Sequence, residues 1–187
     1  QARDEVLDLC AGAGGKTLQL ATQLKNQGRV HAVDADLARL ERLRVRAARA
    51  GATCVRIHGR TAPAELRAAR VLVDAPCSEL GALRRGPDLR WRMDPAGFPA
   101  LPALQRSLLE TAVGHLAPGG RLVYATCTFS REENEELVRQ FEQAHPELKR
   151  VTPDVDPQLL DPEGFVRTWP HRHGTDAFFA AVYSSSP

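Results

Sequence analysis

Apolar residues occur along the chain in two arrangements, short unbroken runs and longer segments with a helical period. Residues 5–9 make a strand-length run that ends in a glycine-rich turn, and 17–24 follow with Leu18, Leu20, Ala21 and Leu24 on one helical face. Residues 29–33 repeat the strand signal. Residues 37–50 then set Leu37, Leu40, Leu43 and Ala47 against a face of arginines, and Gly51 ends that helix. Strands are predicted at 54–57, 70–74, 121–126 and 177–184, with helices at 101–115 and 131–145. This alternation predicts an α/β fold, a mostly parallel twisted sheet with helices on both faces.

Residues 76–102 break the pattern, because Pro76, Pro87, Pro95, Pro99 and Pro102 interrupt any sustained period. A long loop is expected there. It leaves the carboxyl end of a strand, where open α/β sheets bind ligands.

With 187 residues, 43% of them hydrophobic and 26% charged, residues 1–187 are expected to form a single domain with a sizeable core. Apolar runs such as 70–74 and 177–183 fall far short of the roughly twenty residues that a spanning helix needs. No membrane partner is expected. The chain opens on Gln1 without a basic-then-apolar leader, and the missing initiator Met suggests an excised fragment. Cys10, Cys54, Cys77 and Cys127 are too widely spaced for a zinc site, and the six histidines follow no metal pattern, so no metal is expected. The cysteines read as reduced thiols in the cytoplasm. Net charge is only +2, but the 25 basic residues are nearly all arginine and cluster at 39–49 and 84–92. Such local clusters suit a polyanionic partner, although on the 37–50 helix a solvated face is the simpler reading.

The turn Cys10-Ala11-Gly12-Ala13-Gly14-Gly15-Lys16 joins the first strand to the first helix, and its glycines let backbone approach a ligand. Asp34 stands at the end of the second strand, placed to accept hydrogen bonds from ribose hydroxyls. The spacing G-x-G-G lacks the third glycine of a dinucleotide turn and favours S-adenosylmethionine over NAD. A phosphate loop would need glycine where Cys10 stands. Cys10 is read as a packing or cofactor-shell residue, and Cys54 as core.

Asp74-Ala75-Pro76-Cys77 and Ala125-Thr126-Cys127 each end a predicted strand, so both thiols are expected at one sheet edge beside the cofactor turn. Carbon 5 of cytosine is a poor nucleophile. A thiolate that adds to carbon 6 turns the ring into an enamine able to attack an electrophilic methyl group. A second cysteine beside the first then has a purpose in elimination and thiol release.

These residues resemble the RNA (cytosine-5)-methyltransferases of the RsmB/Sun/NSUN type over almost the whole chain. Residues 8–17 resemble the family's D-x-C-A-A-P-G-G-K-T, with Gly12-Ala13 in place of Ala-Pro. Asp74-Ala75-Pro76-Cys77-Ser78, then Arg84-Arg85-Gly86-Pro87-Asp88 and Arg90-Trp91, are similar to its D-A-P-C-S and R-R-x-P-D-x-K-W, with Arg90 for the usual lysine. Tyr124-Ala125-Thr126-Cys127-Thr128 and Glu132-Glu133-Asn134-Glu135 resemble Y-x-T-C-S and E-E-N-E, and residues 169–179 resemble its closing W-P-x-x-x-x-T-D-G-F-F with Ala177 for glycine.

The resemblance implies a Rossmann-like class I S-adenosylmethionine-dependent methyltransferase. Cys127 would be the nucleophile and Cys77 the release residue. Cys10, Ala11, Gly12, Ala13, Gly14, Gly15, Lys16, Asp34 and Asp74 would hold the cofactor, and Arg84, Arg85 and Arg90 would contact RNA. Ribosomal RNA is the first substrate implied and tRNA the second, and an RNA-binding region would precede residue 1. The family's acid after the third strand is replaced by His58-Gly59-Arg60. The alternatives are a methyltransferase of another substrate, which would usually read Asn/Asp-Pro-Pro-Tyr at 74–77, or a noncatalytic RNA-binding module on the same fold.

Overall fold

The computed structural model describes residues 4–186; the lead-in at 1–3, read above as free of a leader, lies outside them. Along the chain run β1 (Glu5–Asp8), α1 (Gly15–Gln23), β2 (Arg29–Val33), α2 (Leu37–Arg49), β3 (Val55–Gly59), β4 (Ala68–Asp74), α3 (Leu89–Arg92), α4 (Leu101–His115), β5 (Leu116–Thr126), α5 (Glu135–Ala144), β6 (Leu148–Arg150), β7 (Val166–Thr168), α6 (Pro170–His173) and β8 (Phe178–Ser185). They build an eight-stranded sheet in the order β3-β2-β1-β4-β5-β8-β6, with β7 also on β8. β1 to β5 pair in parallel, and β8 runs antiparallel to β5, β6 and β7.

Alternation along the strands divides the core between the two faces. Val6 and Val30 pack with Ala21 of α1 and Leu24 just after it, and Ala32 packs with Leu40, Leu43 and Ala47 of α2. Leu7, Val33, Val71 and Val73 point the other way, into a core shared with Leu109 of α4 and Leu137, Val138 and Phe141 of α5. Helices therefore cover both faces, as the sequence pattern predicts.

The strand order reverses between β1 and β4. Connections leave β1 and β4 in opposite directions and open a crevice at their carboxyl ends, the usual ligand position in such sheets.

Several boundaries differ from the sequence reading. α5 begins at Glu135 rather than 131 because the Glu133 and Asn134 side chains are committed to loops beside them. Cys54 precedes β3 instead of lying in it, although it is buried at 4% exposure. The loop at 76–102 contains two 3-10 turns, Leu80–Ala82 and Pro95–Ala100, as well as α3. No helix among the described residues is long and apolar enough to cross a membrane.

Candidate active site

The crevice is a cleft of ≈ 560 Å³ lined by the turn after β1, the ends of β2 and β4, and the start of the loop after β5. Cys10, Ala11, Gly12, Ala13, Gly15, Lys16, Asp34, Asp74, Cys77 and Cys127 all line it. Gly14 does not. Its φ of +90° suits glycine, and a Cβ there would fall 2.2 Å from Leu43 Cδ1, so the missing side chain lets α1 seat against α2. Gly12 and Gly15 differ, because a Cβ on either would meet nothing within 4 Å and would project into open space.

Asp34 steadies the turn from β2. Its Oδ2 accepts the Gly12 N–H at 2.8 Å and its Oδ1 accepts the Asp36 N–H at 2.8 Å, which leaves each oxygen a further lone pair. Lys16 Nζ donates to Asp74 Oδ2 at 2.5 Å and lies 5.6 Å from the Phe178 ring centre. Burial, followed by the charges of Asp8, Asp34 and Asp74, pushes the Cys10 thiol up to about 12, so Cys10 is an inert thiol in the cleft wall.

At the far end of the cleft, Cys77 Sγ and Cys127 Sγ lie 3.4 Å apart. Parallel pairing of Asp74 with Ala125 brings the ends of β4 and β5 into register, and both chains then carry a cysteine into the same space. Within the pair, the hydrogen bond holds the Cys77 proton and, together with burial, raises that thiol. The same bond lowers Cys127 against burial and the charges of Glu79 and Asp74, with Lys16 drawing it down further. Either sulfur can donate in this contact, and the Lys16 charge favours the thiolate on Cys127.

The arginine loop also makes bonds within the protein. Arg84 Nη1 donates to the Gly174 carbonyl at 2.5 Å, and Arg85 Nε pairs with Asp176 Oδ2 at 2.8 Å, which ties this loop to the closing motif. Arg85 still exposes 74% of its side chain. Arg90 lies 5.5 Å from the ring centre of Trp91, which is 80% exposed.

A sequence model of the family described as 16S rRNA methyltransferase RsmB/F matches residues 1–184. The chain belongs to that family. Among relatives of this RsmB/F-family chain, the ribosomal RNA small subunit methyltransferase F of Cronobacter sakazakii is 35% identical over 189 residues, covering 94% of this chain and 39% of that protein. The crystal structure of PH0851 superposes with a TM-score of 0.87 at 40% identity, covering 96% of this chain and 42% of that one. The structure of NSun6 from Pyrococcus horikoshii with SFG gives a TM-score of 0.86 at 29% identity, covering all of this chain and 49% of the other. The chain thus spans 39–43% of the length of the curated relatives it matches.

The structure places further residues in or beside the cleft that the sequence reading did not assign to it. Arg39 and Arg60 line the cleft, Arg60 at the place where the family's acid is absent. Glu133, at 3% exposure, accepts from Ser78 and Gln105, and Asn134, fully buried, bonds both Thr126 and Thr128. The quoted E-E-N-E motif was the available signal, but no role was drawn from it.

Proposed function

We propose that this RsmB/F-family chain carries out methyl transfer from S-adenosylmethionine to carbon 5 of a cytosine in RNA, with ribosomal RNA in the cytoplasm as the first substrate. One observation carries the reading: two thiols 3.4 Å apart open into the cleft that also holds the glycine turn and Asp34. A single core cysteine would need no partner at that distance.

The cleft fits the cofactor. Gly12 and Gly15 leave their Cβ positions open for a ligand, and Asp34 has lone pairs left for ribose hydroxyls. Cys10, Ala11, Gly12, Ala13, Gly15, Lys16, Asp34 and Asp74 would hold it, and Gly14 would act through the packing of α1. When bound, the cofactor supplies an electrophilic methyl group.

The chain's own residues supply the rest. Cys127 as thiolate forms a bond from Sγ to carbon 6 of cytosine, and the ring electrons move toward carbon 5. After transfer, a water in the open cleft takes the carbon 5 proton, the C–H pair re-forms the carbon 5–carbon 6 double bond, and the carbon–sulfur bond breaks with its electron pair returning to the Cys127 sulfur. Cys77 S–H, already bonded to Cys127 Sγ, stabilises the leaving thiolate. Arg84, Arg85 and Arg90 are offered to the RNA backbone, Arg85 through the exposed part of a side chain whose Nε is engaged by Asp176.

Transfer of labelled methyl groups to small-subunit ribosomal RNA, followed by bisulfite mapping, tests this reading. Label at carbon 5 of cytosine is expected. Label on adenine, or on protein alone, would overturn it.

A further inference from the structure

The two cysteines sit on separate loops, and separate loops do not hold two sulfur atoms at contact distance unless something ties them together. Strand register and the Gly81 N–H to Cys127 carbonyl bond bring the loops close, and a pair of adjacent residues that the proposed chemistry does not use fixes them further. Glu133 Oε2 accepts the Ser78 backbone N–H at 3.0 Å and Gln105 Nε2 at 2.8 Å, and Oε1 accepts the Ser78 hydroxyl at 2.5 Å. Ser78 directly follows Cys77, so this carboxylate grips the first loop from beneath. Asn134 Oδ1 accepts the Thr126 hydroxyl at 2.6 Å and its Nδ2 donates to the Thr128 carbonyl at 3.0 Å, so it grips the second loop on both sides of Cys127. A Ser78–Thr128 hydroxyl contact at 2.8 Å closes the frame.

We infer that Glu133 and Asn134 are positioning residues that set the distance between the two thiols, Glu133 by fixing the Cys77 loop and Asn134 by fixing the Cys127 loop. Its consequence for catalysis rests on the methyltransferase reading above, but the geometric claim does not.

Glu133 is fully enclosed, and a buried carboxylate with no cationic partner among the described residues needs strong donors to remain there; it has three. A carboxamide of the same size would turn one of its acceptor sites toward a donor. The placement also explains why α5 starts late. Residues 131–134 are held in turn conformation, and Asn134 adopts φ −113° and ψ −103°, outside the helical region.

The test is the pH profile of Cys127 alkylation by iodoacetamide, followed on the Cys127 peptide by mass spectrometry, in the parent chain, in Glu133→Gln and in the milder Ser78→Ala. Alkylation follows thiolate, and the groups facing Cys127 are the Cys77 thiol, Glu79, Asp74 and Lys16. If Glu133 holds Cys77 in place, both variants remain folded but lose the donor on Cys127. Their alkylation midpoint then rises by about one pH unit and the rate at neutral pH falls about tenfold, as expected for one displaced hydrogen bond to a charged sulfur. A lowered melting temperature with an unchanged midpoint in either folded variant would overturn the inference, since structural support alone predicts that result. In a parallel arm with RNA and cofactor, Glu133→Gln should accumulate the protein–RNA adduct expected of Cys77→Ser. Absence of the adduct from Cys77→Ser itself would overturn the methyltransferase reading, while the alkylation midpoint still decides the positioning claim.

Discussion

Asp8 ends β1 beneath the cofactor turn at 1% exposure, and its Oδ1 has no hydrogen-bond partner among the described residues. Oδ2 accepts the Thr17 hydroxyl at 2.7 Å, which fastens the first turn of α1 to the strand. Burial raises the carboxyl from the ordinary 3.8 to about 6, with the Thr17 bond opposing and the charge of Asp74 adding to the rise. A carboxyl whose folded value is raised contributes its stability fully below the unfolded value and loses it as pH rises through the folded one. At about 1.4 kcal/mol per pH unit, ionising Asp8 between pH 4 and pH 7.5 costs the fold about 2–3 kcal/mol. Asp8→Asn removes that titration. Any cost of burying the amide is independent of pH and cancels in the comparison. The melting temperature of Asp8→Asn relative to the parent should therefore climb by about 5–10 °C between pH 4 and pH 7.5, taking about 2–4 °C per kcal/mol for a chain of this size. Scanning calorimetry at the two pH values is sufficient. A difference that stays constant with pH would refute the argument that burial governs this carboxyl.

Gly81 should not tolerate a side chain. A Cβ there would lie 2.2 Å from the Ala177 carbonyl oxygen and 2.8 Å from that of Cys127, both backbone atoms, so Gly81→Ala should cost about 1–3 kcal/mol by denaturant melts and impair the thiol site. Asp34→Ala should weaken cofactor binding about ten- to hundredfold by calorimetry, the range for lost hydrogen bonds to a charged group; unchanged affinity would remove Asp34 from the cofactor site.

β1, β2, β4 and β5 were legible because each holds a short apolar run, nearly all buried in β1 and β2 and alternating buried and half-buried in β4, and those strands carry the cleft. Their ends placed Cys77 and Cys127 together before any coordinates, since neighbouring parallel strands in register deliver their following residues to one edge. β6 and β7, each three residues long, were not legible. β6 is Leu-Lys-Arg, and its pairing comes from β8 rather than from its own pattern. Gly14 was assigned to the ligand because sequence does not distinguish a glycine needed for close approach from one needed for helix packing. Arg84 and Arg85 were read from charge and from the motif they resemble, and neither shows their partners Gly174 and Asp176, which lie about ninety residues away along the chain. Glu133 was hidden for a related reason: a carboxylate becomes a core residue only when Ser78 and Gln105 arrive from other elements to bond it.

The two cysteines should fail in opposite ways, and denaturing electrophoresis of protein incubated with RNA and S-adenosylmethionine shows this directly. Cys77→Ser keeps the nucleophile but loses the thiol that eases its departure, so a covalent protein–RNA band should accumulate. Cys127→Ser, whose hydroxyl is hardly ionised near neutral pH, should form none, and the double variant should lose the band. No band from Cys77→Ser, or a band from Cys127→Ser, would contradict the assignment of Cys127 as the nucleophile and Cys77 as the release residue.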